Sequence, residues 1–146
     1  MADCTRLYND RELEHMLDVK LVLGAALNVW MVFLVLVVLL GLWAWRGGWL
    51  STYLRGLSRG GLLTLALIGI ILVLVLVAFG VFFVAFHNVF FEEGTWLFFY
   101  SDTLIRLFPQ RFWRDTFLTV GGLTILLALL VWWGARRIIV NRKLSY

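Results

Sequence analysis

Proline and cysteine are nearly missing from this chain: Pro109 and Cys4 are the only ones among 146 residues. A single cysteine excludes an intrachain disulfide and any metal site assembled from thiolates. Confining proline to position 109 leaves every long apolar run without its strongest helix breaker. Charge is scarce too, at 15% of residues against 62% hydrophobic, with mean hydropathy +0.92. A soluble domain carries about 25% charged residues, so this composition calls for lipid as the solvent. No Gly-rich phosphate loop and no nucleic-acid motif is present, and the net charge of +4 sits beside the apolar runs, where it reads as a topology signal. The first twenty residues are polar and charged throughout, so no cleavable signal peptide is expected.

Three uncharged runs remain. Leu21 to Trp45 and Leu62 to Phe86 each hold 25 residues, and Phe117 to Ala135 holds 19. At about 1.5 Å per helical residue each is long enough to cross a hydrocarbon core of roughly 30 Å. Valine and isoleucine are frequent in them, but three runs cannot close a barrel, and a bilayer tolerates no open sheet. The fold class is therefore all-α: one polytopic membrane helix bundle with three transmembrane helices and an aromatic loop on its outer face. Its expected divisions are an extracytoplasmic tail 1–20, spans 21–45, 62–86 and 117–135, a cytoplasmic loop 46–61, an extracytoplasmic loop 87–116 and a cytoplasmic tail 136–146.

Orientation follows from the positive-inside rule. Arg46, Arg55 and Arg59 lie between the first two runs, and Arg136, Arg137, Arg142 and Lys143 follow the third, with no acid in either segment. All nine acids fall in the N-terminal tail or the second loop, which places both outside and the C-terminus in the cytoplasm. Trp43, Trp45 and Trp49, with Trp132 and Trp133, mark the inner boundary as an interfacial belt.

The spans hold almost no polar groups, so a proton or ion path through them is not expected. Both histidines, His15 and His87, fall on the outer side beside the first and second spans. Asn9 is suited to cap a helix that starts before the lipid, with Asp10 and Glu12 favouring its N-terminus. On that helix His15 and Asp18 share a face, and the carboxylate can orient the imidazole. An ordinary solvated, charged helix start would read the same way. The second loop, with Phe90, Phe91, Trp96, Phe98 and Phe99, is unusually aromatic and is expected to lie in the headgroup zone. It suits an enzyme acting on lipid chains, or merely anchors two helices. Ser101 and Cys4 are weaker nucleophile candidates, without a nucleophile elbow or a basic neighbour. A metal site from His15, His87, Asp18 and Glu92 lacks any helical His-pair spacing, and no metal or other cofactor is expected.

Two stretches carry a family likeness: His15-Met16-Leu17-Asp18-Val19-Lys20, and Phe86-His87-Asn88-Val89-Phe90-Phe91 followed by Trp96-Leu97-Phe98, Asp102-Thr103-Leu104-Ile105-Arg106 and Phe108-Pro109-Gln110-Arg111-Phe112-Trp113. Together they resemble the bacterial lipoprotein intramolecular transacylases, from Tyr8 to the third span. Members of that family have four membrane helices, so the resemblance implies that the first is lacking here. It implies an acyltransferase of the bacterial cell membrane that moves an O-acyl chain of a lipoprotein's diacylglyceryl-cysteine to the cysteine α-amine, leaving an N-acyl lyso-form. The partners implied are diacylated lipoproteins and membrane lipid, with self-association into a homo-oligomer as one way to replace the lacking helix. The residues carried over are His15 and His87 as the catalytic pair and Asp18 as orienting acid. Asn88 and Arg106 would serve substrate or oxyanion binding, with Trp96, Phe90 and Phe91 lining the acyl path. Two other readings stay open on the residues alone. One is a helper subunit, with Gly69, Gly80, Gly121 and Gly122 allowing close helix approach. The other is an outer-face metal-handling protein.

Overall fold

The computed structural model of the chain describes residues 6–144, and the side chains of residues 6–141. Cys4 and Asp3, and the side chains of Arg142 and Lys143, lie outside the described residues. Five helices and no strand occur among the described residues: α1 (Asp10–Arg46), α2 (Leu50–Val77), α3 (Phe79–Phe90), α4 (Thr103–Leu107) and α5 (Gln110–Leu144). Three of them, α1, α2 and α5, are long and apolar enough to cross a membrane, as the uncharged runs require. The chain is a membrane protein built as an all-α bundle.

Each long helix begins well before its apolar stretch. α1 has 37 residues, about 55 Å of helix, and starts eleven residues before the first uncharged run. Asn9 caps it as expected. The Asn9 side chain accepts from the Glu12 backbone N–H at 2.9 Å, and the Glu12 carboxylate accepts from the Asn9 N–H at 2.7 Å, a reciprocal capping box. The stretch 46–61, expected to be a loop, is instead almost all helix. Only Gly47, Gly48 and Trp49 separate α1 from α2, and the turn is made by Gly48 at φ +75°, a conformation that costs a β-carbon-free residue nothing.

The second uncharged run is not a single helix. At Ala78 (φ −140°, ψ 46°) the backbone leaves the helical region, which divides the run into α2 and α3. No proline is involved, although Gly80 directly follows the break and weakens helix continuation there. The new direction carries Phe79, Phe82 and Phe86 of α3 onto Phe117 of α5, with ring centroids 6.5, 5.1 and 5.9 Å apart. Aromatic packing of this kind adds roughly 0.5–1.5 kcal/mol per pair beyond area burial.

Helices α2 and α5 form the main seam and run antiparallel. Gly61 faces Ala128 and Trp132, whereas Leu72, further along α2, faces Gly121, earlier on α5. A β-carbon on Gly61 would stand 3.1 Å from the Ala128 carbonyl oxygen and 3.2 Å from Trp132 Cβ, and one on Gly121 would collide with the Leu72 side chain. Small residues thus let the two backbones close up. Of the four glycines expected to allow close approach, only Gly121 does. Gly69, Gly80 and Gly122 face open space, and Gly61 takes the role unforeseen. At this end Trp43 and Trp49 meet edge to face, the Tyr53 hydroxyl donates to the Val37 carbonyl at 2.8 Å, and the Arg136 and Arg137 guanidinium groups lie 5.2 Å over Trp132 and Trp133.

Candidate active site

The N-terminal turns of α1, the end of α3 and the segment around α4 meet at the opposite end of the bundle. Glu12 joins two of them. Its side chain is only 1% exposed, and while one oxygen completes the capping box the other accepts the Leu104 N–H of α4 at 2.6 Å. Around this tie the Thr103 hydroxyl donates to the Leu7 carbonyl at 2.7 Å, and Asp102 takes Arg11 at 3.5 Å, the Asn9 amide at 3.4 Å and the Phe99 N–H at 2.8 Å. A buried carboxylate is tolerable only when such donors satisfy it.

One helical turn beyond Glu12 is His15, 6% exposed and therefore no solvated helix start. Its ring faces that of His87, with centroids 6.1 Å apart and planes inclined by 24°. Phe91 and Phe98 close on His15 at 4.9 and 5.4 Å. Phe83, Trp96 and Phe91 close on His87 at 4.1, 4.8 and 5.4 Å. Tight turns after α3 make this enclosure possible. Thr95 bonds back to the Glu92 carbonyl through both its N–H and its hydroxyl, and Gly94 turns at φ +87°.

The hydrogen bonds define what each imidazole can do. His87 Nδ1 lies 2.7 Å from the Phe83 carbonyl oxygen, which can only accept, so Nδ1 carries the proton and Nε2 keeps a bare lone pair. His15 Nδ1 is buried with no partner. Burial lowers the His15 imidazole below its ordinary 6.5, the neighbouring His87 lowers it further, and the Asp18 carboxylate partly raises it. His87 is lowered by burial against the opposing effect of its bond to Phe83. Both groups precede or follow the uncharged runs, and burial favours the neutral form of each. Two imidazolium ions this close would repel, so the pair accommodates one proton far more readily than two.

Residues 3–113 match the pattern of the family described as "Lipoprotein intramolecular transacylase Lit". The chain belongs to the lipoprotein intramolecular transacylase family. An uncharacterized protein of Aquifex aeolicus (strain VF5) is 36% identical over 126 residues, covering 86% of this chain and 55% of that protein. The chain thus spans about half the length of the curated relative it matches. No solved structure matches.

The transacylase family match covers every residue singled out for the site, and the fold sorts them. His15, His87, Phe91 and Trp96 come together. Asp18 acts on His15 by charge alone, since no hydrogen bond joins them. Asn88 and Arg106 are exposed and bond neither imidazole, and Phe90 packs on Phe86 at 4.8 Å, not on a histidine. Ser101, Glu92 and Glu93 are exposed as well. Among the described residues no group of three or more His, Cys, Asp or Glu is gathered that would hold a metal ion. Sequence reasoning missed Phe83, which sets the His87 tautomer, and gave no site role to Phe98, Asp102 or Arg11. It also read Glu12 as a helix-start charge only. The Asn9-x-x-Glu12 spacing was a visible capping-box signal, but nothing local announced the bond to Leu104.

Proposed function

We propose that the chain is a membrane acyltransferase that moves an O-acyl chain of a lipoprotein's diacylglyceryl-cysteine to the cysteine α-amine. The observation that carries this reading is the pair of imidazoles facing each other inside an aromatic shell, in a chain of the transacylase family. Substrate amine serves as the nucleophile, so the protein needs no serine or cysteine of its own. His87, with Nε2 unprotonated, takes a proton from the α-ammonium. The freed amine attacks the ester carbonyl, a C–N bond forms and the C–O bond to glycerol breaks. The nitrogen of the new amide gives up a second proton to the histidine pair, and the departing glycerol oxygen takes one from it; the other proton passes to solvent, so the pair returns to its starting state with no water consumed. Proton transfers of this kind favour groups titrating near neutrality and contribute roughly 10²–10⁴-fold each. Trp96 and Phe91 line the acyl path beside the pair, and Phe90, Asn88 and Arg106 stand further out for the peptide and headgroup. Asp18 tempers the charge on His15. Diacylated lipoproteins and membrane lipid are the partners.

The distribution of arginine supports placing the histidine end outside the cell membrane, with the C-terminus in the cytoplasm. Tyr100, 94% exposed in the aromatic loop, reports on this. In a Cys4→Ser background, Tyr100→Cys should react with a membrane-impermeant maleimide added to intact cells, and labelling only after lysis would reverse the orientation.

The activity itself is read by expressing the chain in a bacterium that makes diacylated lipoproteins and fragmenting their N-terminal lipopeptides by mass spectrometry. Intramolecular transfer leaves total mass unchanged, so the acyl chain must be found on nitrogen. Recovery of nothing but free-amine diacylglyceryl peptide would refute the reading.

A further inference from the structure

Trp96 carries an indole N–H that is buried and has no hydrogen-bond partner. An orphaned donor of this kind costs about 1–3 kcal/mol and calls for an explanation, a catalytic role among them. Trp132 on the α2–α5 seam also has a buried unpartnered N–H, but it stands beside Gly61 with the Arg136 guanidinium over its ring, at the end of the bundle opposite the histidine pair. Trp96 differs, because its ring lies 4.8 Å from that of His87, and a second orphan, His15 Nδ1, belongs to the same cluster. Two unmet polar atoms therefore belong to the side-chain cluster around His87. The turn at Gly94 precedes the ring, and Phe83 flanks it edge-on at 6.5 Å.

Acyl transfer from an ester to an amine creates one charge besides those carried by the proton transfers assigned to the histidines. As the C–N bond forms, the carbonyl π electrons move onto oxygen, and that oxyanion must be stabilised until the C–O bond to glycerol breaks. Asn88 and Arg106, the other donors near the end of α3 and α4, are exposed and leave the task unfilled. We propose that the Trp96 Nε1–H donates to the ester carbonyl oxygen and stabilises the oxyanion, making Trp96 a catalytic residue whose proton is never transferred. The assignment rests on the transacylase reading above and gives that site its electrophilic component. Such a donor acts mainly on the transition state, so its loss lowers kcat and leaves KM nearly unchanged.

The test replaces Trp96 by 3-benzothienylalanine, which keeps the bicyclic shape but puts sulfur in place of N–H, and separately makes Trp96→Phe. Transfer is followed on a synthetic diacylglyceryl-cysteine peptide with the full chain in detergent. Both variants should lose about 10²–10³-fold in kcat with KM changed little, the size seen when an oxyanion donor is removed. Full activity in the benzothienyl protein, with loss only in Trp96→Phe, would show that Trp96 merely packs and would overturn the proposal. Loss expressed wholly in KM would overturn it too, by assigning Trp96 to substrate binding. Wild-type protein that leaves every acyl chain on glycerol would instead refute the transacylase reading, and this proposal with it.

Discussion

Where α2 lies against α5, cohesion depends on side chains that are not there: Gly61 admits Ala128 and Trp132, and Gly121 admits Leu72. At the histidine end, cohesion comes from directional bonds instead, with one buried carboxylate tying the cap of α1 to Leu104 and a carboxylate at 102 gathering Arg11, Asn9 and Phe99. A close-packed seam has one arrangement and resists any change of volume. A cluster held by a few hydrogen bonds, with aromatic rings closing over it, can part without disturbing that seam. The contrast matters for the function proposed above, because His15 is nearly sealed and the shell of Phe91, Phe98 and Trp96 would have to open for a lipid-bearing substrate.

The comparison can be broken most forcefully at the imidazoles. His87→Ala or His15→Ala should lower acyl transfer by about 10³-fold, within the range for losing a general acid or base, while circular dichroism and thermal unfolding of the α2–α5 seam stay as in the wild type. Transfer at near wild-type rate in either variant would remove the pair from the mechanism. Next in size is Glu12→Ala. It leaves the Asn9 and Leu104 N–H groups without their acceptor, which should cost about 2–4 kcal/mol locally. Hydrogen exchange at Leu104 should accelerate by roughly two orders of magnitude, with amides around Gly61 unaffected. Equal acceleration at both places would mean that the two ends are not separable.

Gly61→Val probes the other region. The added carbons meet a backbone carbonyl and a tryptophan, so a loss of about 1–3 kcal/mol in unfolding stability is expected, with the pH dependence of transfer unaltered. The smallest effect concerns protonation. Both imidazoles are lowered in the fold, so the working neutral forms persist at pH 6.5, where a free histidine is half protonated, and the rate should fall only at more acid pH. Folding stability from this end follows the same sign: it is complete above 6.5 and declines as pH drops through the lowered values, because the unfolded chain takes up protons first. Asp18→Asn removes the influence that raises His15 and should move the acid limb of the pH–rate profile slightly further down. A shift upward would contradict the placement of Asp18.

Much of the scaffold was legible because hydropathy is a local property. The uncharged runs correspond to α1, α2 with α3, and α5, and the Asn9 cap stands where a short acceptor before acidic residues has to stand. The break at Ala78 was hidden, since the flanking residues are as apolar as the rest and no proline announces it. The polar stretch 46–61 was misread for the converse reason: arginine and glycine lowered its hydropathy without preventing helix.

What the sequence by itself determined is that this chain belongs in a bilayer as apolar helices, and that histidine, acid and aromatic residues collect at one side of them, because length, charge and hydrophobicity act residue by residue along the chain. Only the tertiary structure decided that His15 and His87 confront one another, that the Phe83 carbonyl leaves Nε2 of His87 free, and that Glu12 reaches Leu104. Each of those depends on distances of a few ångströms between groups brought together by helix packing, and a carbonyl or an N–H of the backbone leaves no mark in the order of side chains.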